Sequence, residues 1–92
     1  MDLLTEDDIA ARLASLTGWE RHGGAITATF TRADFRDSLL FVGMVAYLAE
    51  AANHHPDVAI AWNKVTLTLS THSAGGLTAA DFALAGKVNA LA

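Results

Sequence analysis

The stretch Val58-Ala59-Ile60-Ala61-Trp62-Asn63-Lys64-Val65-Thr66-Leu67-Thr68-Leu69 alternates apolar with small or polar residues on both sides of Asn63-Lys64. Alternation with period two puts Val58, Ile60 and Trp62 on one face of a strand, and Val65, Leu67 and Leu69 on the same face of its neighbour. A two-residue loop at Asn63-Lys64 predicts a β-hairpin with Trp62 opposite Val65, Ile60 opposite Leu67 and Val58 opposite Leu69. All three pairs are apolar, so this face needs a cover, while the Ala59, Ala61, Thr66 and Thr68 face tolerates water. Continuing the ladder past Pro56, which disturbs strand pairing, sets Asp57 against Ser70 and His55 across from His72.

Working outward, Trp19 to His22, Gly23-Gly24 and Ala25 to Thr31 predict a first hairpin, because paired glycines accept the positive φ of a tight primed turn. Ile26, Ala28 and Phe30 share one face of its second strand. Between the hairpins, Asp34 to Asn53 reads as the longest helix, and its segment Leu39 to Ala49 carries no charge on any side. A helix apolar all round has two faces to bury. One covers the sheet, and the other is expected to meet a second subunit. Thr5 with Asp8 caps a first helix bearing Ile9, Leu13 and Leu16, which Thr17-Gly18 ends. Thr78-Ala79-Ala80-Asp81 opens a last helix carrying Leu84, Val88 and Leu91. The order αββαββα predicts an α+β fold, a sandwich of a four-stranded antiparallel sheet with helices packed on one face. Residues 1–92 are read as a single domain, and no linker or low-complexity stretch interrupts them.

Composition limits the function classes. Hydrophobic residues make up 52% of the 92 residues against 17% charged, which excludes disorder and leaves more apolar surface than a small monomer hides. A net charge of −4 with no basic run argues against nucleic acid as a partner. The chain has no cysteine, so a disulfide framework, a thiolate metal site and a thiol nucleophile are all excluded. The acidic start, Asp2 to Asp8, lacks the basic region of a secretory signal and predicts a cytoplasmic protein. The apolar run Leu39 to Ala49 falls short of the roughly 20 residues that span a bilayer, so no membrane association is expected.

Histidines carry the candidate chemistry. On the predicted ladder, His54, His55 and His72 gather at one end of the sheet beside small residues that leave room for a flat ligand. Imidazole, with an unperturbed pKa of about 6.5, donates or accepts a proton near neutral pH, and three together point to acid/base work. His22, beside the Gly-Gly turn, reads as a solvated side chain. A zinc site is the weaker reading: His54 and His55 point to opposite sides if extended, and Asp57, Asp81 or Glu50 would have to complete the shell. Asp81 is explained by helix capping with Thr78, Glu50 by solvation on a helix, Trp62 by the hairpin, and Gly75-Gly76 by the turn into the last helix.

The spacing Glu50-x3-His54-His55-Pro56-x5-Trp62-x9-His72-x8-Asp81 resembles the signature of the pterin-4a-carbinolamine dehydratases. The resemblance continues through Trp62-Asn63-Lys64-Val65, Ser70-Thr71-His72 and Gly75-Gly76-Leu77-Thr78, over the last half of the chain. It is looser in the first half, through Thr5, Gly18-Trp19, Phe30 and Phe35. It implies the same αββαββα order and the dehydration of 4a-hydroxytetrahydropterin (4a-hydroxytetrahydrobiopterin) to quinonoid dihydropterin and water. That step recycles the pterin after aromatic amino acid hydroxylases, the implied pathway partners, and needs no metal or organic cofactor. By resemblance, His54, His55 and His72 are the active-site histidines, with His54 and His72 as the acid/base pair and His55 positioning the pterin or sharing that role. Asp81 orients a histidine from behind. Glu50 and Trp62 lie on motif positions outside the catalytic set. The family also implies a homodimer or homotetramer. It contains non-catalytic binding members too, dimerisation partners of a transcription factor and assembly factors for a carbon-fixing enzyme.

Overall fold

The computed structural model describes residues 2–92. Thr5 caps the first helix, α1 (Glu6–Ala14), with its Oγ1 accepting from the Asp8 N–H at 3.1 Å. The helix ends at Ser15, earlier than expected, because the Ser15 hydroxyl and N–H both turn back onto the Arg12 carbonyl. Leu16 lies beyond the helix and still packs against the core. Strands β1 (Glu20–His22) and β2 (Ala25–Thr31) form the first hairpin around Gly23-Gly24, with His22 paired to Ala25. Gly23 sits at φ +59°, a conformation open to glycine without steric cost.

The long helix α2 (Phe35–Ala52) runs between Asp34, whose carboxylate accepts from the Asp37 N–H at 2.7 Å, and Asn53, which ends it in the left-handed conformation. Its inner residues Phe41, Val45 and Ala49 are buried. The opposite face, Leu40 and Tyr47 included, is 61% and 76% exposed at those two positions, so the second apolar stripe has no cover among the described residues. No helix among the described residues is long and apolar enough to cross a membrane.

Strands β3 (Asp57–Ala61) and β4 (Lys64–Leu69) complete a four-stranded antiparallel sheet in the order β1-β2-β4-β3. A 3-10 turn at His72–Ala74 then leads to the last helix, α3 (Ala79–Leu91). Residues Ile26, Ala28, Val65, Leu67 and Leu69 face the helices and are buried with Phe41, Leu84, Ala85 and Val88 in one core. Burying a Val, Ile, Leu or Phe side chain contributes about 1.5–3 kcal/mol. The other sheet face carries Thr27, Thr29, Thr66 and Thr68, whose hydroxyls pair across β2 and β4.

The hairpin register differs from the expected one. Ile60 pairs with Val65, Val58 with Leu67 and Asp57 with Thr68, so the loop is Trp62-Asn63 rather than Asn63-Lys64. Sliding by two residues leaves every side chain on its face, which is why alternation reads the same in either register. Contacts outside the hairpin select this one. The Asn63 carbonyl accepts from the Arg32 N–H at 2.6 Å, and the Trp62 carbonyl lies 2.9 Å from the hydroxyl of buried Ser38. Trp62 takes φ +54° and is 69% exposed, in the turn instead of on the buried face. The extrapolated ladder shifts with it: His55 falls opposite Ser70, not His72.

At the same end of the molecule, the Arg32 guanidinium lies 4.5 Å from the centre of the Phe41 ring and donates to Asp37 at 3.1 Å. The Ala33 N–H, and after it Arg32, hold the Asp37 carboxyl below the usual carboxylate range.

Candidate active site

His54 and His55 lie in the short connection between α2 and β3, and His72 opens the 3-10 turn before α3. His54 follows the αL cap Asn53, and its backbone N–H donates to the Ala49 carbonyl at 3.1 Å, so the chain leaves α2 in one direction. From there its ring reaches α3, where Nε2 lies 2.5 Å from Asp81 Oδ1. The side chain is 14% exposed, against 0% for that of Asp81. His55 turns the other way and pairs through Nε2 with Glu50 on the last turn of α2, with 57% of its side chain exposed. The opposite orientation of these neighbours follows from extended backbone, in which successive side chains alternate.

Asp81 occupies the third position of α3, and its Oδ2 accepts from the Thr78 N–H at 2.9 Å, completing the capping box read from the sequence. The same oxygen accepts from Thr71 Oγ1 at 2.8 Å. A buried carboxylate needs donors, and three converge on this one: a histidine ring, a hydroxyl and a backbone amide. Thr71 immediately precedes His72 and carries the turn on which that histidine sits. Its carbonyl accepts from the N–H groups of Ala74 and Gly75, and its own N–H donates to the Gly76 carbonyl at 2.9 Å. Gly75 closes the turn at φ +77°. His72 is exposed, and among the described residues its ring has no hydrogen-bond partner.

One network thus ties His54 and His72 together through Asp81 and Thr71, whereas His55 stands apart with Glu50. The two expected to pair across the ladder, His55 and His72, are not register partners. His55 and Glu50 instead border a cleft of about 220 Å³ between α2 and β3, lined by Val42, Ala46, Ala49, Pro56 and Val58. His22 lies far along the chain in β1, 3.6 Å from Glu20, with both side chains exposed. Among the described residues no three His, Asp or Glu side chains are gathered as metal ligands, so the zinc shell considered from sequence is not assembled. Thr71 was not singled out by sequence reasoning. Its signal was the capping box itself, which places a buried carboxylate whose second oxygen requires further donors. Glu50, read as a solvated helix residue, is the partner of His55.

A family described as Pterin 4 alpha carbinolamine dehydratase matches residues 2–91 of this chain. The chain belongs to the pterin-4a-carbinolamine dehydratase family. A relative from Roseiflexus castenholzii, named "Putative pterin-4-alpha-carbinolamine dehydratase", is 54% identical over 87 residues, spanning 95% of this chain and 94% of its own. A relative of the same name from Thermomicrobium roseum is 48% identical over 92 residues, spanning 100% of this chain and 99% of its own. Among solved structures, the transcriptional coactivator/pterin dehydratase of Brucella melitensis superposes with a TM-score of 0.92 at 40% identity, covering 97% of both chains. A pterin dehydratase-like protein identified as a RuBisCO assembly factor in the alpha-carboxysome shares the fold, at a TM-score of 0.65 and 23% identity over 79% of this chain and 84% of that one. The three helices and open antiparallel sheet are therefore the dehydratase-family fold.

Proposed function

We propose that this chain is a hydro-lyase acting on a 4a-hydroxytetrahydropterin such as 4a-hydroxytetrahydrobiopterin, releasing quinonoid dihydropterin and water. The reaction breaks the C4a–O bond as an acid delivers a proton to the departing hydroxyl. The N5 lone pair forms the new C4a–N5 double bond, and a base removes the N5 proton. The acid loses a proton and the base gains one, so proton exchange resets both groups and no redox partner is involved. The observation that supports this reading is the Asp81–Thr71 network, which anchors His54 and the turn bearing His72 from one buried point. In this reading His54 and His72 are the acid/base pair, and His55, steadied by Glu50, positions the pterin. Its place is the recycling of tetrahydrobiopterin after an aromatic amino acid hydroxylase.

The test follows the breakdown of 4a-hydroxytetrahydropterin by ultraviolet absorbance, with wild type and His72→Ala side by side. Wild type accelerates the decay and the variant loses most of that acceleration. A folded wild type that adds nothing to the spontaneous rate refutes catalysis.

The bare outer stripe of α2, with Leu39, Leu40, Met44 and Tyr47 exposed, favours a second reading beside the first. In it the chain is a binding module, a dimerisation or assembly factor of the kind that the family also contains. Replacing His54 and His72 separates the two, since a scaffold keeps its partner and a dehydratase loses its rate. The same stripe supports self-association as a homodimer or homotetramer.

A further inference from the structure

We propose that Gly24, at the tip of the first hairpin, is a positioning residue for His72: its missing side chain lets the hairpin backbone brace the turn on which that histidine sits. The catalytic meaning of this inference rests on the dehydratase reading, while the brace itself does not.

Gly23-Gly24 and Gly75-Gly76 are both glycine pairs, and in each only the first member takes a positive φ. Backbone conformation therefore accounts for Gly23 and Gly75, and leaves Gly24 and Gly76 to be explained by packing. For Gly24 the reason is space. A methyl group there would lie 3.3 Å from the Cα of Gly76 and 3.8 Å from the Gly75 carbonyl oxygen, so the two backbones meet where a side chain does not fit. A Cβ on Gly76 itself would meet the end of the Leu3 side chain at 3.1 Å. Gly76 is buried, and the residue after it is tied down as well, its carbonyl accepting from the Leu4 N–H at 3.0 Å.

The ladder between β2 and β4 ends at the pair Ile26 and Leu69. Beyond it the chain enters a turn closed by a bridge between Thr71 and Gly76, whose N–H groups donate to each other's carbonyls at 2.9 and 3.3 Å. His72 lies inside that closed turn, exposed and with no partner for its ring among the described residues, so its place follows the backbone on either side of the bridge. The Thr71 side is anchored to Asp81. The Gly76 side meets Gly24, and the Ser70 hydroxyl, just before the bridge, donates to the Gly24 carbonyl at 2.7 Å. The hairpin tip thus touches both ends of the turn. With a methyl group on Gly24, Gly76 must give way by a few tenths of an ångström, and the closed turn carries that shift to His72. A misplacement of about 1 Å costs about 100-fold in rate, so a few tenths correspond to about four-fold.

The experiment compares full-length wild type, Gly24→Ala, Gly18→Ala and His72→Ala with the double variant carrying Gly24→Ala and His72→Ala. It follows kcat and KM for 4a-hydroxytetrahydropterin, the melting temperature, and the backbone amide NMR signals of residues 71–76. Gly18, at φ +85° with nothing within 4 Å of an added methyl group, is a strained glycine at the other end of β1 from Gly24. Gly24→Ala lowers kcat about four-fold with little change in KM and moves the signals of the turn. Gly18→Ala lowers the melting temperature and leaves kcat. In the His72→Ala background Gly24→Ala adds no further loss to the residual rate, because both changes act through one ring, whereas a merely structural glycine subtracts the same factor in either background. A folded Gly24→Ala with the kcat of an active wild type overturns the proposal, as does a loss that persists in full without His72. Should Gly24→Ala not fold, Ser70→Ala, which removes only the hydroxyl tie, takes its place: it moves the turn's signals and lowers kcat, and an unchanged kcat overturns the brace. In a wild type without turnover the dehydratase reading fails and the amide signals alone decide: moved by Gly24→Ala or Ser70→Ala, the brace stands, and unmoved, it falls.

Discussion

Replacing Asp81 by Asn keeps the size of the side chain and removes its charge at a point that ties the end of α2, the start of α3 and the His72 turn. The carboxylate is 0% exposed. It accepts from His54 Nε2 at 2.5 Å, Thr71 Oγ1 at 2.8 Å and the Thr78 N–H at 2.9 Å. Asparagine retains one oxygen. Two donors converge on the Oδ2 position, so the oxygen stays there and the amide nitrogen turns to His54. That nitrogen donates, which forces Nε2 to accept and moves the ring proton to Nδ1. A hydrogen bond to a charged acceptor contributes about 1.5–3 kcal/mol and a neutral one about 0.5–1.5, so weakening two of them costs roughly 2 kcal/mol. In a chain of this length that lowers Tm by about 8–16 °C. Under the proposed dehydratase role of His54 the effect on rate is larger, because the ring then carries its proton on Nδ1. An Asp-to-Asn change behind a catalytic histidine costs about 10⁴-fold in the serine-protease triad, and a loss of at least about 100-fold in kcat is expected here. Thermal melting by circular dichroism and the ultraviolet assay of carbinolamine breakdown read the two effects separately. A folded Asp81→Asn with wild-type kcat, or with an unchanged Tm, refutes the reasoning.

Two further outcomes follow from other parts of the molecule. The Ala33 N–H and Arg32 hold the Asp37 carboxyl below its ordinary value, so its stabilising contribution is complete above the unfolded carboxylate range and is lost as pH falls through the folded value. Melting curves at neutral pH and below the carboxylate range will show a smaller acid-induced drop for Asp37→Asn than for wild type, and equal drops would remove Asp37 from the acid response. The exposed Leu40 and Tyr47 are expected to lie in a self-association face, so a charge at Leu40 lowers the mass seen by sedimentation, while a concentration-independent monomer in wild type ends that expectation.

Much of the fold was legible because local signals agreed with one another. Asp34 and Asn53 bracket α2 as read, the Gly23-Gly24 hairpin pairs as read, and Thr78 with Asp81 caps α3 as read. The helix end at Ser15 and the 3-10 turn at His72–Ala74 were not legible, since each depends on local hydrogen bonds that composition does not reveal. Of the candidate site, the residue types were readable and the partnerships were not. His54 meets Asp81 across 27 positions of chain, and Thr71 meets it across ten.

The sequence by itself determined which strand face turns to the core and where helices begin, because a period of two or of 3.6 and a capping side chain act within a few residues. Only the tertiary structure decided the register of β3 against β4 and the pairing of the histidines. A slide by two residues leaves the pattern of faces unchanged, so the choice fell to contacts from distant elements: Arg32 and Ser38 holding Asn63 and Trp62. The same packing brings the end of α2 to the start of α3, and there the carboxylate that caps a helix also becomes the support of His54.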